Sequence, residues 1–493
     1  MIAYEAAPGA TVTVLGSRLV PDEVWDRSLD PGQNGEGAFS SKLWMVPFES
    51  SPLPADGGPF NTPQASDEEI EVMPWAHRWR DRIPYRLGRG LVFQDGRRLE
   101  QLSTYEDLAR VPGSFWVDRE AGRLHLRPFG DVDPVRATFE VTVHDQLFKP
   151  TTAGTSYLRI AGLTFAHAAN GFPRIGVGAI DAHGGHHWIV EDCTVRDCNS
   201  VGIEVGARTV ERANADDAER DRVADHPGGF TVRDNHVFRC GTGGIQGHTV
   251  HDSVVERNHL HDIGWQDVER YFECAGIKLL RTRDVLVRHN LIHDVESAAG
   301  IWLDWDNRHS RVTGNVVADV RHTILGGIFL EASRNPNLID RNVVWGVDGR
   351  AVNLSDTSNA TVVHNLFGPA ATAVSAHTVT DRSLDDEPLA STGNEIRHNL
   401  LVAATGAPDL AEGNEYTDNA TVSAELDRER WELRIRDAAA LPELPGLDRP
   451  TTDYYDRPWR PAVVPGPFND VAATARRYRL VSWSDQDRGP TSS

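Results

Sequence analysis

A six-residue pattern recurs through the middle of the chain and limits what the chain can fold into. Each copy combines a small residue with apolar residues at alternate positions, and the copies contain Gly202, Gly244, Gly276, Gly300, Gly327 and Ala351. A column of asparagines lies between the copies, at Asn235, Asn258, Asn290, Asn315, Asn342, Asn365 and Asn399. The intervals between these asparagines are 23, 32, 25, 27, 23 and 34 residues. Repeats of this length with irregular insertions are typical of a solenoid.

The short stretches within each repeat predict strands rather than helices. They are rich in β-branched residues, are separated by Asn, Asp or Gly, and show no apolar period of a helix. A leucine-rich repeat would place Leu at fixed intervals, and this pattern is missing. The predicted fold class is therefore all-β, a right-handed parallel β-helix. We expect the asparagines to be structural, because a stacked Asn hydrogen-bonds to the neighbouring turn and tolerates the left-handed conformation.

The composition changes along the chain and indicates four parts. The predicted parts are residues 1–20 as the first coil, 21–145 as an outer β-rich module, 146–440 as the β-helix and 441–493 as a C-terminal cap. The outer module is rich in Pro, Gly, Trp and Asp and carries hairpin signals. We expect the cap to cover the last coil, because an open solenoid end exposes a sheet edge. The charged insertion 207–229 and the acidic insertion 378–393 are predicted to be surface loops.

The formal net charge of −22 argues against binding to nucleic acid or an anionic membrane, which both require a basic surface. No apolar run is long enough to span a bilayer. The first residues lack the basic and apolar regions of a signal peptide, so a cytoplasmic location is expected. A coil or a signal preceding residue 1 is left open, and so is homo-oligomerisation.

Four cysteines are present, and they predict neither a metal site nor a cofactor. Cys198 and Cys240 share a repeat register with Ile263 and Val295, and are expected to be stacked core thiols. A disulfide between them is the alternative. Cys193 and Cys274 have no Cys or His partners at zinc spacing, so no metal is expected from them.

Two carboxylates fall at the same position of consecutive coils. Alternate residues of a strand face opposite sides, so if Ile301 and Leu303 point inward, Trp302 and Asp304 point outward. The same parity places Glu331 outward on the next coil, about 4.8 Å from Asp304 along the stack. Retaining glycosidases need carboxyl groups about 5–5.5 Å apart, so this register predicts a retaining site. Two solvated surface carboxylates are the alternative, although like charges directly opposite one another are destabilising.

The neighbouring residues predict a division of roles. Lys278 lies diagonal to Asp304 and favours its ionised form, as a nucleophile requires. Glu331 has little positive charge nearby in sequence apart from Arg334, and a raised pKa would suit a general acid. Sugars present apolar faces and hydroxyl rims, so the substrate-binding residues are expected to be Lys278, Trp302, Trp305, His248 and Glu273, roofed by Trp75 or Trp79. Asp306 also faces outward and competes with Asp304 for the catalytic role.

The local motifs of residues 1 to about 345 resemble the β-xylosidases of glycoside hydrolase family 120. The motifs are Gly300–Trp305, Phe329–Glu331, Glu273–Leu279, Gly247-His248, Ala166–Ala169 and Ala6–Gly9. The resemblance implies a retaining, exo-acting hydrolase with Asp304 as nucleophile and Glu331 as acid/base. It also implies a β-sandwich-like outer module inserted after the first coil.

The chain departs from that family around the two carboxylates. Leu280 stands where a His is expected, and Arg334-Asn335 stand where His-Gly are expected. The segment between the two carboxylates is longer, with extra residues around 322–326. These departures put the identity of the sugar in doubt more than the reaction type.

Three functions compete on the sequence alone. The first is a retaining β-xylosidase acting on short xylo-oligosaccharides or related glycosides, with an oligosaccharide or small glycoside as its partner. The second is a polysaccharide lyase or epimerase, which needs a base for the α-proton and cations for a uronate, and here Lys278 is the one obvious base. The third is a non-catalytic carbohydrate-binding β-helix, which predicts no closely paired carboxylates.

Overall fold

The chain forms a parallel β-helix with three columns of strands along one axis. The computed structural model describes residues 1–28, 42–50, 52–71, 77, 80–172, 175–207, 228–267, 273–437, 441–471 and 476–481. The first column is an 11-stranded parallel sheet. Its strands are Ile2–Glu5, Leu158–Ala161, Ile189–Glu191, Thr231–Arg233, Val254–Glu256, Leu286–Arg288, Arg311–Thr313, Asn337–Asp340, Ala360–Val363, Glu395–Arg397 and Glu415–Thr417.

The second and third columns share one larger sheet. The second column contains Thr13–Leu15, Thr164–Ala166, Thr194–Cys198, His236–Cys240, His259–Ile263, Leu291–Glu296, Val316–Arg321, the start of Val343–Ser355, Leu366–Phe367, Leu400–Val402 and Ala420–Asp427. The third column contains Ile180–Asp181, Val201–Gly206, Gly243–His248, Ala275–Leu280, Ala299–Asp304, Ile328–Glu331, the end of Val343–Ser355, Ala370–His377 and Asp409–Leu410. All pairings between successive coils are parallel, as expected for an all-β solenoid.

Inward-facing aliphatic residues of all three columns form one continuous core. Ile203, Ile245, Ile277, Ile301, Ile328 and Val352 follow one another in register and are buried. Cys198 and Cys240 are in register with Ile263 and Val295, and both thiols are free and buried. The prediction of stacked core thiols is confirmed, and the disulfide does not form.

The asparagine column is a buried ladder of hydrogen bonds. Asn290 accepts from the backbone N–H of Asn258 at 3.0 Å and donates to Asn315 Oδ1 at 2.9 Å and to the Val255 carbonyl at 3.0 Å. The same contacts recur from Asn235 to Asn419. The left-handed residue, however, is the one before each Asn, so the expectation that Asn itself adopts this conformation is wrong. The asparagine is needed for its amide, which satisfies buried backbone groups of the adjacent coil.

A second domain-like unit leaves the β-helix after the Thr13–Leu15 strand. Its first sheet contains Asp26–Arg27, Trp44–Pro47, Arg123–Arg127, Ser114–Asp118 and Glu100–Gln101, and its second contains Ser17–Leu19, Phe139–Thr142, Val92–Gln94 and Arg97–Arg98. Aromatic and aliphatic residues from both sheets, including Phe115, Leu124 and Phe139, form a separate core. Two short helices, Asp67–Glu71 and Ile83–Arg86, and the 3-10 turns Asp22–Val24, Phe48–Ser50, Gly58–Phe60, Glu106–Ala109, Phe129–Asp131 and Pro134–Arg136 complete it.

The C-terminal residues cover more than the last coil. Outward Leu291, Val316, Val343, Leu366 and Leu400 form an apolar stripe on the second column. Tail residues Tyr454, Phe468, Val471 and Tyr478 pack against this stripe. The remaining strands are Ser383–Leu384, Glu387–Pro388, Glu432–Arg436, Leu444–Pro445, Ala462–Val463 and Arg476–Arg479. The tail therefore runs along the side of the solenoid as well as over its end.

Among the described residues, no helix combines the length and hydropathy needed to span a bilayer. The predicted loop at 207–229 falls mostly on residues 208–227, which lie outside the described residues.

Candidate active site

Two neighbouring strands of the third column place Asp304 and Glu331 side by side. Trp302 is in register with Phe329 and Leu303 with Leu330, so the next pair is Asp304 and Glu331. Leu303 and Leu330 belong to the core, and alternation therefore turns both carboxylates outward. The Trp305 N–H donates to the Glu331 carbonyl at 3.2 Å and continues this register past the strand end. The predicted juxtaposition is present in the structure.

The backbone turns sharply immediately after each carboxylate. Trp305 and Asp306 are consecutive residues with φ of 56° and 53°, and Ala332, after Glu331, has φ of 47°. This left-handed conformation is unfavourable for a bulky side chain such as Trp. Backbone strain of this kind often accompanies functional sites. It ends both strands at the point where the carboxylates project.

Lys278 forms ion pairs with Asp304 and with a third carboxylate, that of Glu273. Its Nζ lies 3.1 Å from Asp304 Oδ2 and 2.8 Å from Glu273 Oε2. The Lys278 side chain is 2% exposed. Burial alone would lower the pKa of Lys278, but the two carboxylates raise it above its usual value. Lys278 is therefore a fixed cation, and the predicted contact between Lys278 and Asp304 is present.

Glu331 has a cationic partner that sequence reasoning missed. Arg382 donates to Glu331 Oε1 at 2.7 Å and to Asp356 Oδ2 at 2.7 Å. Asp356 is buried and also accepts from the backbone N–H of Val379 at 2.7 Å. Arg334, the cation considered from sequence, pairs instead with Asp385 at 3.0 Å.

Most residues of the insertion that carries Arg382 are exposed, as predicted for a surface loop, but two of its leucines are buried. Leu384 and Leu389 are buried against Ala332, next to Trp305. The insertion therefore folds over the carboxylate pair. A signal was available in the sequence, since residues 378–393 contain one basic residue and two leucines in an otherwise polar and acidic stretch.

The two carboxylates differ in their surroundings. Burial, and then the charge of Asp304, raise the pKa of Glu331 to about 7, while Arg382 opposes this rise. Burial also raises the pKa of Glu273, against the effect of Lys278. A carboxyl group with a pKa near neutrality can both give and take a proton at physiological pH. Glu331 thus has the properties of an acid/base group.

Trp302 lies behind the carboxylates rather than on an open face. Its ring stacks on Phe329 with centroids 5.1 Å apart, and Lys278 Nζ lies 3.6 Å from the ring centre. Leu325, from the extra residues near 322–326, completes this cluster. Only 2% of Trp302 is exposed, so its indole positions Lys278 and offers no open surface on which a sugar could stack.

Trp305 and His248 border the same region. Trp305 is partly buried beside the Leu384 and Leu389 pair. His248 precedes Leu280 and Asp304 in register, and burial, together with Lys278, lowers its pKa to about 3. Among the described residues, the indole nitrogens of Trp302 and Trp305 and Nδ1 of His248 are buried without a hydrogen-bond partner.

The remaining candidates are arranged as follows. Asp306 is buried and paired with Arg308 at 2.9 Å, so its carboxylate is engaged in a turn and does not compete with Asp304. Leu280 lies between His248 and Asp304 in register and places an apolar side chain between them. The Asn335 carbonyl accepts from Asn337. Trp75 and Trp79 lie outside the described residues.

A separate cavity of about 550 Å³ lies where the outer module meets the β-helix. Its walls include Arg98, Asn199, Trp265 and Gln266, and Arg98 stacks over Trp265 at 3.4 Å. The carboxylate pair lies at the opposite end of the third-column strands and is not part of this cavity.

Comparisons with known proteins agree with the architecture. Residues 153–367 match the right-handed β-helix region family. XylC, solved in complex with xylose, has a TM-score of 0.71 at 19% identity and covers 97% of this chain and 90% of its own. A glycoside hydrolase gives 0.48 at 13% identity, covering 84% and 83%, and a periplasmic alginate epimerase, AlgG, gives 0.34 at 12%, covering 54% and 69%. No curated protein matches the chain in sequence. The chain is a right-handed parallel β-helix protein, and its fold is similar to that of XylC along nearly its whole length.

Proposed function

We propose that the protein is a retaining, exo-acting glycoside hydrolase that cleaves β-xylosides or related short glycosides. The observation that carries this proposal is the placement of Asp304 and Glu331 in one register on adjacent strands, with different partners. Adjacent strands are about 4.8 Å apart, which is close to the carboxyl separation of retaining enzymes and leaves no room for a water between them.

In the first step Asp304 attacks the anomeric carbon. A bond forms from its oxygen to that carbon as the glycosidic bond breaks, and Glu331 gives its proton to the departing oxygen. Lys278 Nζ lies 3.1 Å from Asp304 Oδ2 and forms an ion pair with the attacking group. In the second step Glu331 takes a proton from water, the water oxygen bonds to the anomeric carbon, and Asp304 leaves as a carboxylate.

The pKa of Glu331 changes between the two steps, which allows Glu331 to act first as an acid and then as a base. The charge of Asp304 is one of the two causes that raise the pKa of Glu331. Ester formation neutralises Asp304 and removes this contribution. The pKa of Glu331 then falls, and the ionised group becomes a base when a base is required.

Two features support a sugar as the substrate. Asp304, Glu331 and Trp305 are only partly buried, so a sugar can contact both carboxylates and one indole ring. XylC, which shares this fold, was solved with xylose. Leu280 and Arg334 change the surroundings of the site, and we expect them to tune which short glycoside is preferred.

The lyase or epimerase alternative is disfavoured by Lys278. A base that removes an α-proton must be neutral at the working pH, and the two carboxylates beside Lys278 keep it protonated. Binding without catalysis does not account for two nearly buried carboxylates placed opposite each other.

The test is a panel of aryl glycosides and uronate polymers. Release of nitrophenol from the β-xyloside, with the product formed initially in the β configuration by proton NMR, is the expected result. Initial formation of the α product, or new ultraviolet absorbance from an unsaturated uronate, would reject the proposal.

Variants assign the roles. Asp304→Ala should lose at least roughly 10⁴-fold in kcat. Glu331→Ala should retain the first step on substrates with good leaving groups, and azide should yield a glycosyl azide of the substrate's own configuration. Asp385→Asn is the matched control, because this exposed carboxylate belongs to the same region but contacts Arg334. Full activity in Asp304→Ala, or an azide of opposite configuration, would overturn the assignment.

A further inference from the structure

Four histidines converge on the outer face of the second column, away from the carboxylate pair. His236, His259, His261 and His293 lie on three consecutive strands. His236 is in register with His259, and His261 with His293. All four side chains are partly buried. In sequence they are separated by intervals of irregular length, so only the strand register brings them together.

The rings are close enough to share ligands. His236 Nε2 lies 2.8 Å from His261 Nε2, and His259 Nε2 lies 2.8 Å from His293 Nε2. The His236 ring stacks on His259 with centroids 4.9 Å apart, and His261 stacks on His293 at 5.1 Å. The ligand atoms of His236, His259 and His261 all lie within 4.8 Å of one another.

Two aspartates set the orientation of two of these rings. His261 Nδ1 lies 2.7 Å from Asp262 Oδ2, and His293 Nδ1 lies 2.6 Å from Asp294 Oδ2. A carboxylate can only accept, so each ring, when neutral, carries its proton on Nδ1, and its Nε2 lone pair faces the Nε2 atom of His236 or His259. This carboxylate–imidazole arrangement is the outer-shell pattern that orients and strengthens metal-binding histidines.

The spacing suits a small divalent ion. Zinc binds imidazole nitrogen at about 2.0–2.1 Å in a tetrahedral site, which places ligand nitrogens about 3.3 Å apart. The His236 and His259 rings are stacked within 10° of parallel, so at least one of them must rotate for the three nitrogens to reach that arrangement. An all-imidazole ligand set favours zinc, copper or nickel over calcium or magnesium, which prefer oxygen.

We propose that His236, His259 and His261 form a binding site for a divalent transition-metal ion, with zinc as the probe of choice. Asp262 holds His261 in the ligating tautomer, and a water fills the fourth position. When the ion binds, His236 and His259 carry their proton on Nδ1, so all three ligands are neutral. The ion joins two adjacent coils, beside the C-terminal segment that places Trp431 5.0 Å from His293.

The chain itself supplies substitutions that preserve packing. Phe238 occupies the position in register with His261, and Leu291 the position in register with His259. His261→Phe and His259→Leu therefore remove one nitrogen ligand each while keeping a side chain that this face already accommodates. His322→Ala is the control, because that side chain is 67% exposed and lies elsewhere.

The experiment uses the full chain after treatment with a chelator. Zinc is titrated in competition with a chromophoric chelator, and cobalt absorption reports nitrogen ligation. One zinc per chain is expected, with a tenfold or greater loss of affinity in His261→Phe and in His259→Leu and no change in His322→Ala. Circular dichroism of the metal-free variants checks that they fold. If either is unfolded, His236→Gln replaces it.

Binding that survives these substitutions, or no binding beyond the level left in the variants, would overturn the proposal. The readout is independent of glycosidase activity, so it stands or falls separately from the proposed function.

Discussion

At the residue scale, the contact between Arg382 and Glu331 influences the pKa of the proposed acid/base group. Burial and the charge of Asp304 favour protonated Glu331, and Arg382 at 2.7 Å favours the ionised form. Asp356 holds Arg382 from the other side at 2.7 Å. The outcome is a pKa near neutrality, set by burial, by Asp304 and by Arg382.

The first prediction concerns the pH dependence. A general acid must be protonated, so kcat/KM should fall as the pH rises through about 7, the pKa of Glu331. Arg382→Gln removes a cation that lowers this pKa, so the basic limb should move to higher pH by roughly one unit. The measurement is the pH profile of kcat/KM on an aryl β-xyloside.

The control for this shift is Arg334→Gln. Arg334 lies on the same side of the site but pairs with Asp385, so its removal should leave the limb in place. A limb that moves to lower pH in Arg382→Gln would contradict the assignment of Glu331 as the acid.

The second prediction concerns the buried charges around Lys278. Lys278→Met leaves Glu273 and Asp304 as neighbouring buried carboxylates, which should cost about 3–5 kcal/mol of unfolding free energy. Adding Glu273→Gln removes one of the two charges and should recover part of that loss. Urea denaturation of the two single variants and the double variant measures this coupling. Additive losses would show that the three groups do not act together.

At the element scale, the asparagine ladder is the feature that was easiest to predict from the sequence. A stacked amide needs the same residue at the same point of each coil, so the column is visible in the order of the amino acids alone. The left-handed turn residue could not be read in this way, because Asp, Arg, His and Gly all occupy the position before Asn. Several residue types satisfy that backbone requirement, whereas one side chain satisfies the hydrogen bonds.

The third prediction tests the ladder. Asn290→Ala removes a buried amide that contacts Asn258, Asn315 and the Val255 carbonyl, and should cost on the order of 2–4 kcal/mol. Asn419 makes similar contacts to Asn399 and Ile396 but is only half-buried, so Asn419→Ala should cost less. Chemical denaturation compares the two. Equal losses would argue that burial of the amide does not matter.

The strand parity that paired Asp304 with Glu331 also predicted Lys278 correctly, since all three depend on local alternation and register. Arg382 was missed for a physical reason. It lies 51 residues after Glu331 in an insertion, and no periodicity fixes where an insertion returns to the surface. The histidine cluster was missed because its members follow no metal-ligand spacing in the sequence, and only the strand register brings them together.

At the scale of the whole molecule, the insertion around 383–388 acts as a cover. Its hairpin strands Ser383–Leu384 and Glu387–Pro388 follow Arg382, and Leu384 and Leu389 fix it against Ala332. The cover thus couples its own docking to the ion pair at Glu331.

The fourth prediction follows from this coupling. Replacing Leu384 and Leu389 together by Ser should weaken docking, release Arg382 from Glu331 and shift the basic pH limb in the same direction as Arg382→Gln. Limited proteolysis of the insertion should become faster. Val379→Ser is the control, because its side chain is 59% exposed and its backbone contact to Asp356 is retained. Faster cleavage of the insertion without any shift of the basic limb of the pH profile would show that docking of the insertion does not control the ion pair at Glu331.

The coils differ in length, from 20 to 34 residues between successive asparagines of the ladder, yet the strands of the third column stay in register. The separation of the carboxylates is therefore fixed by the hydrogen-bonding distance between backbones, and loop length has no influence on it. A loop can therefore gain or lose residues without moving Asp304 relative to Glu331. The surroundings of the site and the spacing of its two carboxylates can thus vary independently.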